Sequence, residues 1–151
     1  MKSTFKIWET NRNLHIEFLE QFSLEQLNKT PSGFTNNLIW NIGHIIATQQ
    51  GLIYRLSGLP VTISKEFHNK YKIGTFPTKP ATQEEVDEIK SLLLCHIQQT
   101  RDDYEDGKFL NFKEYVTSIG FHLSSIEEAI SFNNYHEAIH LGFMINIKKF
   151  I

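Results

Sequence analysis

The chain has 151 residues, of which 40% are hydrophobic and 13% aromatic, a composition typical of one globular domain with a substantial core. Its formal net charge is −2 and no segment concentrates positive charge, so we expect no binding to nucleic acid. No apolar run approaches the roughly 20 residues of a membrane span, and the N-terminus lacks the apolar stretch of a secretory leader. The single Cys95 fits a reducing compartment. We therefore expect a cytoplasmic protein with one domain over residues 1–151 and no membrane partner.

The first third of the chain predicts two long helices. Apolar residues recur at helical spacing over Phe5–Phe22, which indicates the first helix. The second is expected to begin at Asn36 or Asn37, because either side chain can accept a hydrogen bond from an unpaired backbone N–H. It should run to about Ser57, where Gly58 supplies a stop signal.

The next segment, Leu59–Pro80, is less regular. It contains several proline and glycine residues and has too little periodicity for a long helix, although a short helix around Lys65–Tyr71 is expected. Loops of this length in a compact domain more often have a function than not. We therefore predict that this segment shapes a binding pocket.

Two capping boxes open the remaining helices. Residues 82–85 begin a third helix that ends before Gly107, and residues 125–128 begin a fourth that continues to Lys149. Residues 109–123 between them are expected to be irregular or briefly extended. Four long helices in one short chain predict an all-α helical bundle.

A histidine pair near the C-terminus is the strongest chemical signal. His136 and His140 are four residues apart, so on a helix they lie on the same side and can converge on one ion. His44 lies on another apolar helix, flanked by small or polar residues. Neutral imidazoles suit divalent ions such as zinc or nickel, and three of them leave a coordination position open. We therefore predict a metal site formed by His44, His136 and His140.

Two other interpretations compete with this one. A lone histidine on an apolar helix is more often a hydrogen-bonded core residue than a ligand. The letters His136-Glu137-x-x-His140 also match the zinc-peptidase motif, in which the glutamate activates water. That motif needs a third ligand, usually Glu or His, further along the chain, and residues 141–151 contain neither. A peptidase is therefore disfavoured, whereas Glu137 is a candidate for either a general base or a structural acceptor.

Two stretches resemble a known family. Leu38-Ile39-Trp40-Asn41-Ile42-Gly43-His44-Ile45 and His136-Glu137-Ala138-Ile139-His140-Leu141-Gly142 resemble the signature stretches of the DinB-like metal-binding superfamily. Order, spacing and chain length agree over essentially the whole domain. The resemblance implies a four-helix bundle in up-down-down-up order, with a long crossover after the second helix. It also implies a divalent metal held by three histidines, here His44, His136 and His140.

The resemblance further bears on activity and assembly. Members are often homodimers, and some are transferases or isomerases that use a low-molecular-weight thiol. Our first hypothesis is a metal-dependent transferase or hydrolase that acts on a small molecule, with Glu137 as its catalytic residue. The alternative is a non-catalytic bundle whose metal has a structural or sensing role. A roomy cavity with an open coordination position favours the enzyme, and a closed site with four protein ligands favours the alternative.

Four residues near these stretches allow structural predictions. Gly43 and Gly142 each cost about 1 kcal/mol inside a helix, so we predict that they let neighbouring helices approach closely. Asn41, one turn before His44, is expected to make an ordinary hydrogen bond between helices. Cys95 lies mid-helix without a partner motif, so no chemical role is expected for it.

Overall fold

A computed structural model describes all 151 residues, and six α-helices account for most of them. They are α1 (Lys2–Gln21), α2 (Leu24–Asn28), α3 (Leu38–Gln49), α4 (Lys65–Tyr71), α5 (Gln83–Glu105) and α6 (Ile126–Ile147). A π-helix, Gln50–Arg55, continues α3, and a 3₁₀ turn, Lys148–Phe150, follows α6. Two short strands, β1 (Tyr115–Val116) and β2 (His122–Leu123), pair antiparallel in the segment predicted to be irregular or briefly extended. None of the helices combines the length and apolarity needed to cross a bilayer.

Four long helices form the bundle: α1, α3 with its π extension, α5 and α6. Helices α1 and α3 each pack against both α5 and α6. Ion pairs join Glu9 to Arg101 and Glu20 to Lys90, so α5 runs antiparallel to α1. The order is up-down-down-up, and the crossover between the second and third long helices contains α4. The all-α bundle predicted from the sequence is therefore confirmed.

A buried polar layer divides the core of the bundle. One apolar cluster gathers around Phe18 and Met144, and a second gathers around Trp8 and Ile130. Buried polar side chains lie between the two clusters along each long helix, and Arg12, Gln49, His96 and Glu137 are among them. Buried polar groups are costly unless they are hydrogen-bonded, so the bonding within this layer constrains how the helices fit together.

The helices begin at the capping residues predicted from the sequence, but the return bonds of the two capping boxes differ from the prediction. Asn37, rather than Asn36, caps α3 by accepting from the backbone N–H of Trp40. Thr82 caps α5 in the same way, but the expected return bond from Glu85 is missing because its carboxylate binds α4 instead. At α6 the return bond from Glu128 goes to the backbone N–H of Ser124 rather than to that of the capping residue, Ser125. In each predicted capping box, the bond to the capping side chain is therefore present, and the predicted return bond to the backbone N–H of the capping residue is not.

The π-helix at the end of α3 was not predicted. The sequence indicated a regular helix to about Ser57, whereas Leu56 donates its N–H to the Gly51 carbonyl, five residues back, at 3.3 Å. Such segments are rare in helices and occur frequently at functional sites. Here the segment supplies Gly51, Leu52 and Arg55 to the wall of the pocket beside the histidines.

Candidate metal centre

Three histidines from two helices meet at one point between α3 and α6. The ring centroid of His44 lies 5.2 Å from that of His136 and 4.8 Å from that of His140. The rings of His136 and His140 are 4.6 Å apart, as their four-residue spacing on α6 requires. One nitrogen from each ring lies within 4.8 Å of the others. The structure thus brings together all three side chains named as candidate ligands from the sequence.

His44 is oriented by the crossover helix. Its Nδ1 lies 2.7 Å from the backbone carbonyl oxygen of Tyr71, the last residue of α4. A carbonyl only accepts, so Nδ1 carries the proton and Nε2 keeps its lone pair for an ion. The Trp40 ring stacks on the imidazole at 4.7 Å with 9° between the planes. The Thr48 hydroxyl lies 3.3 Å from Nε2.

His140 is oriented in the same way by a side chain of α3. Its Nδ1 lies 2.8 Å from Oδ1 of Asn41. The amide of Asn41 is fixed in that direction because its Nδ2 donates to the backbone carbonyl of Asn37 at 2.7 Å. The proton of His140 is thereby placed on Nδ1, which leaves Nε2 as the ligand atom. Metal-binding histidines usually have such a partner on the second nitrogen, and it sets both tautomer and ring direction.

The third ring, that of His136, differs from a hydrogen-bonded core histidine. Its Nδ1 is buried and has no hydrogen-bond partner in the protein. Burial and the neighbouring His44 lower the pKa of His136 to about 4. Burial, followed by the other two rings of the cluster, lowers the pKa of His140 to about 2. Burial also lowers the pKa of His44. The surroundings thus favour the neutral form of all three imidazoles, which metal ligation requires, and the donor set fits a divalent ion.

A cavity of about 560 Å³ opens beside the cluster. No Cys, Asp or Glu joins the three histidines to complete a closed four-ligand site. The cavity wall is mostly apolar and aromatic, with a few hydroxyl and basic groups. It comprises residues 36, 40, 44, 47, 48, 51, 52, 55, 56, 68, 72, 73, 115, 117–119, 132, 135, 136, 139 and 140. A pocket with this volume and lining is typical of a small-molecule site.

Glu137, the candidate catalytic residue, is not part of that wall. It is fully buried, and its carboxylate accepts hydrogen bonds from Trp8 Nε1 at 2.8 Å and Asn133 Nδ2 at 2.8 Å. Arg12 adds two more, from Nε at 2.9 Å and Nη2 at 2.7 Å. One residue along a helix turns a side chain by about 100°, which directs Glu137 into the core while His136 faces the cavity. This position favours the structural acceptor over the general base for Glu137, and it counts against the peptidase interpretation.

Two groups that matter to the site were missed or undervalued in the sequence. Asn41 makes the bond between helices that was expected, but its partner is His140, so it orients a ligand. Asn37 and Asn41 are four residues apart, and Asn41 lies one helical turn before His44. This spacing was the signal available in the sequence. The role of the Tyr71 carbonyl could not be predicted, because every residue has a backbone carbonyl and the amino-acid type does not distinguish one from another. Cys95 is exposed, and partial desolvation by its neighbours raises the pKa of its thiol, which is the reverse of what activates a nucleophile.

Comparison with known proteins gives one clear finding. A family model described as the DinB superfamily matches residues 7–144, which is nearly the whole chain and includes all three histidines. Among proteins with curated descriptions, none matches the chain. With a helical bundle of the expected order and a family match of this extent, the chain belongs to the DinB superfamily.

Proposed function

We propose that this protein is a metal-dependent enzyme acting on a small molecule, as a transferase that uses a low-molecular-weight thiol or as a hydrolase. His44, His136 and His140 hold a divalent ion, zinc or nickel. The observation that carries the proposal is the cavity of about 560 Å³ that the three imidazoles line. A cation in such a site supplies Lewis acidity and lowers the pKa of a water or thiol that reaches it.

The cavity also bears on the non-catalytic alternative. A metal that only stabilises a bundle needs four protein ligands and no access, as structural zinc sites have. Here three candidate ligands meet, and the cavity beside them is large enough for a substrate. This arrangement favours an enzyme over a structural or sensing bundle.

The chain's own residues then have separable tasks. Tyr71 and Asn41 hold two of the imidazoles in the ligating tautomer through hydrogen bonds of 2.7 and 2.8 Å. Apolar side chains such as Trp40 and Ile139 exclude water from the cavity wall. Thr48, one turn from His44, offers a hydroxyl to a ligand beside the cluster.

The first experiment is elemental analysis of the purified chain. Wild type should contain about one divalent ion per chain and His44→Ala almost none, because two histidines alone hold an ion weakly. His122→Ala is the matched control, since His122 is exposed and pairs with Glu114 away from the cavity. A wild type that takes up neither zinc nor nickel, or a His44→Ala variant with undiminished metal, would overturn the proposal.

The second experiment is a turnover screen of the metal-loaded chain. Low-molecular-weight thiols are paired with electrophilic small molecules, and hydrolysable esters and amides are tested without thiol. We expect activity that requires the metal and disappears in His44→Ala. Full occupancy by metal together with no turnover across such a screen would favour the non-catalytic alternative.

A further inference from the structure

The cavity beside the histidines has no acidic residue in its wall. This is unexpected from composition, because acidic residues outnumber basic ones in the chain, 17 against 15. The wall nevertheless contains Arg55, His68 and Lys72, which we call the basic rim. Its charge is thus opposite in sign to that of the chain as a whole.

The two cations of the basic rim are not neutralised by the protein. Neither Arg55 nor Lys72 forms an ion pair, and the only side-chain partner of Lys72 is the neutral amide of Asn69, at 3.2 Å. Lys70, two residues before Lys72 but outside the cavity, is by contrast paired with Glu85 at 2.5 Å.

The members of the basic rim act on a common region. Burial, then Arg55, then Lys72 lower the pKa of His68, so both cations are close enough to influence its ring. They come from different elements: Arg55 ends the π-helix and Lys72 follows α4. Positive charge from two directions at the edge of an apolar pocket attracts an anion.

We propose that the substrate is an amphipathic organic anion whose carboxylate is bound by Arg55 and Lys72, while its apolar body lies along the cavity toward the histidines. The walls suit such a body: Leu52, Leu56 and Ile139 are aliphatic, and Trp40 and Phe132 are aromatic. Arginine is well suited to the head group because its planar fork binds a carboxylate with two parallel hydrogen bonds.

This inference rests on the proposed function insofar as it names the substrate of the same site. The binding of the anion, however, depends on the basic rim and not on the metal. The two proposals can therefore fail separately. A metal-free chain that still prefers anions would retain this inference even if no metal-dependent activity were found.

The test is calorimetric titration of the full chain, once zinc-loaded and once stripped of metal, with a panel of arylalkyl carboxylates and their matched carboxamides. The double variant Arg55→Gln/Lys72→Gln removes the two cations. Lys65→Gln/Lys79→Gln is the matched control, because it removes the same charge from two exposed lysines that do not line the cavity. Circular dichroism verifies that both variants remain folded.

We expect wild type to bind at least one carboxylate about tenfold more tightly than its carboxamide, with or without zinc. The preference should disappear in Arg55→Gln/Lys72→Gln and persist in the control. A panel in which no carboxylate outbinds its carboxamide would overturn the inference. So would a preference that survives in Arg55→Gln/Lys72→Gln but is lost on removal of zinc, because the carboxylate would then be a ligand of the metal.

Discussion

The ring of Tyr71 occupies the space that a side chain at Gly43 would need. A Cβ atom added to Gly43 would lie 2.4 Å from Cδ1 of Tyr71, far inside van der Waals contact. This approach brings the end of α4 against α3 and places the Tyr71 carbonyl 2.7 Å from Nδ1 of the adjacent His44. The glycine is therefore a condition for the orientation of a ligand ring.

Gly43→Ala should consequently weaken both the fold and the metal site. The Tyr71 ring is buried, and its hydroxyl is fixed by a bond to Glu85 at 2.9 Å, so it has little freedom to give way. We expect a loss of about 1–3 kcal/mol in the free energy of unfolding, as overpacked cores show. Urea denaturation and competition with a chromophoric chelator measure the two effects.

Gly142→Ala is the matched control. No atom lies within 4 Å of a Cβ at Gly142, so the predicted close packing of helices at this position is not found. In a helix interior the substitution should stabilise the protein by up to about 1 kcal/mol. Equal effects of the two substitutions would contradict the role assigned to Gly43.

Asn41→Ala should reduce metal affinity without removing a ligand. The substitution deletes the acceptor 2.8 Å from Nδ1 of His140, and the ring then loses its fixed tautomer and direction. Loss of such a partner typically costs about 10–100-fold in metal affinity. Chelator competition gives the constant, and Asn146→Ala, an exposed change on the helix that bears His140, should leave it unchanged. An unaltered affinity in Asn41→Ala would show that His140 needs no partner.

Glu137→Gln should destabilise the bundle rather than the metal site. Arg12 is 1% exposed and would keep its charge with no carboxylate to balance it. Removing one partner of a buried ion pair typically costs about 3–5 kcal/mol. Glu20→Gln, which removes a surface pair with Lys90, should change stability by less than about 1 kcal/mol. If Glu137→Gln has the same free energy of unfolding as wild type and retains its metal but loses a measured activity, the glutamate has a chemical role after all.

The metal-free protein should lose stability as the pH falls from about 6.5 to 4. Burial, with a smaller contribution from Arg12, lowers the pKa of His96 from 6.5 to about 4. Between these values the unfolded chain binds a proton that the folded chain does not, so acid favours unfolding. For this residue alone the loss between pH 7 and pH 5 is about 2 kcal/mol. Denaturation at both pH values measures it, and His96→Gln should show a smaller difference. The same difference in both proteins would exclude His96 as a source.

The homodimer implied by the resemblance stays a prediction. Tyr135 and Phe143 are each 53% exposed and Ile139 is 37% exposed, and their four-residue spacing places them on one side of α6. We expect sedimentation to give a dimer for wild type and a monomer for Phe143→Glu. Ile145→Glu, at a position about 120° around the same helix from the centre of this stripe, should remain dimeric. A monomeric wild type would refute the prediction.

The parts of the fold that follow from periodicity were accessible in the sequence. Apolar spacing predicted the four long helices, and α4 lies where a short helix was expected, around Lys65–Tyr71. The π-helix could not be predicted, because a change from hydrogen bonds between residues four apart to bonds between residues five apart leaves no recognisable pattern in the sequence. The three histidines were found because their spacing and the family resemblance both point to them.

The direction of Glu137 could not be predicted from its motif. The letters of the zinc-peptidase motif are present, but its face of α6 is decided by Arg12, which is 125 residues away in the chain. A buried carboxylate requires a cation, and nothing local in the sequence identifies that cation. The basic rim was equally hidden, because Arg55 and Lys72 become neighbours of one cavity only when α4 folds back against α3.

The bond between His44 and the main chain of Tyr71 makes the cluster part of the crossover. An interaction that immobilises this imidazole therefore also restrains the last turn of α4. It restrains as well the adjacent part of the cavity wall, which contains Lys72 and Ile73. We therefore expect the binding of a cation by the three imidazoles to affect the conformation of this part of the cavity wall. Deuterium should enter the amides of residues 65–73 more slowly once a cation is held.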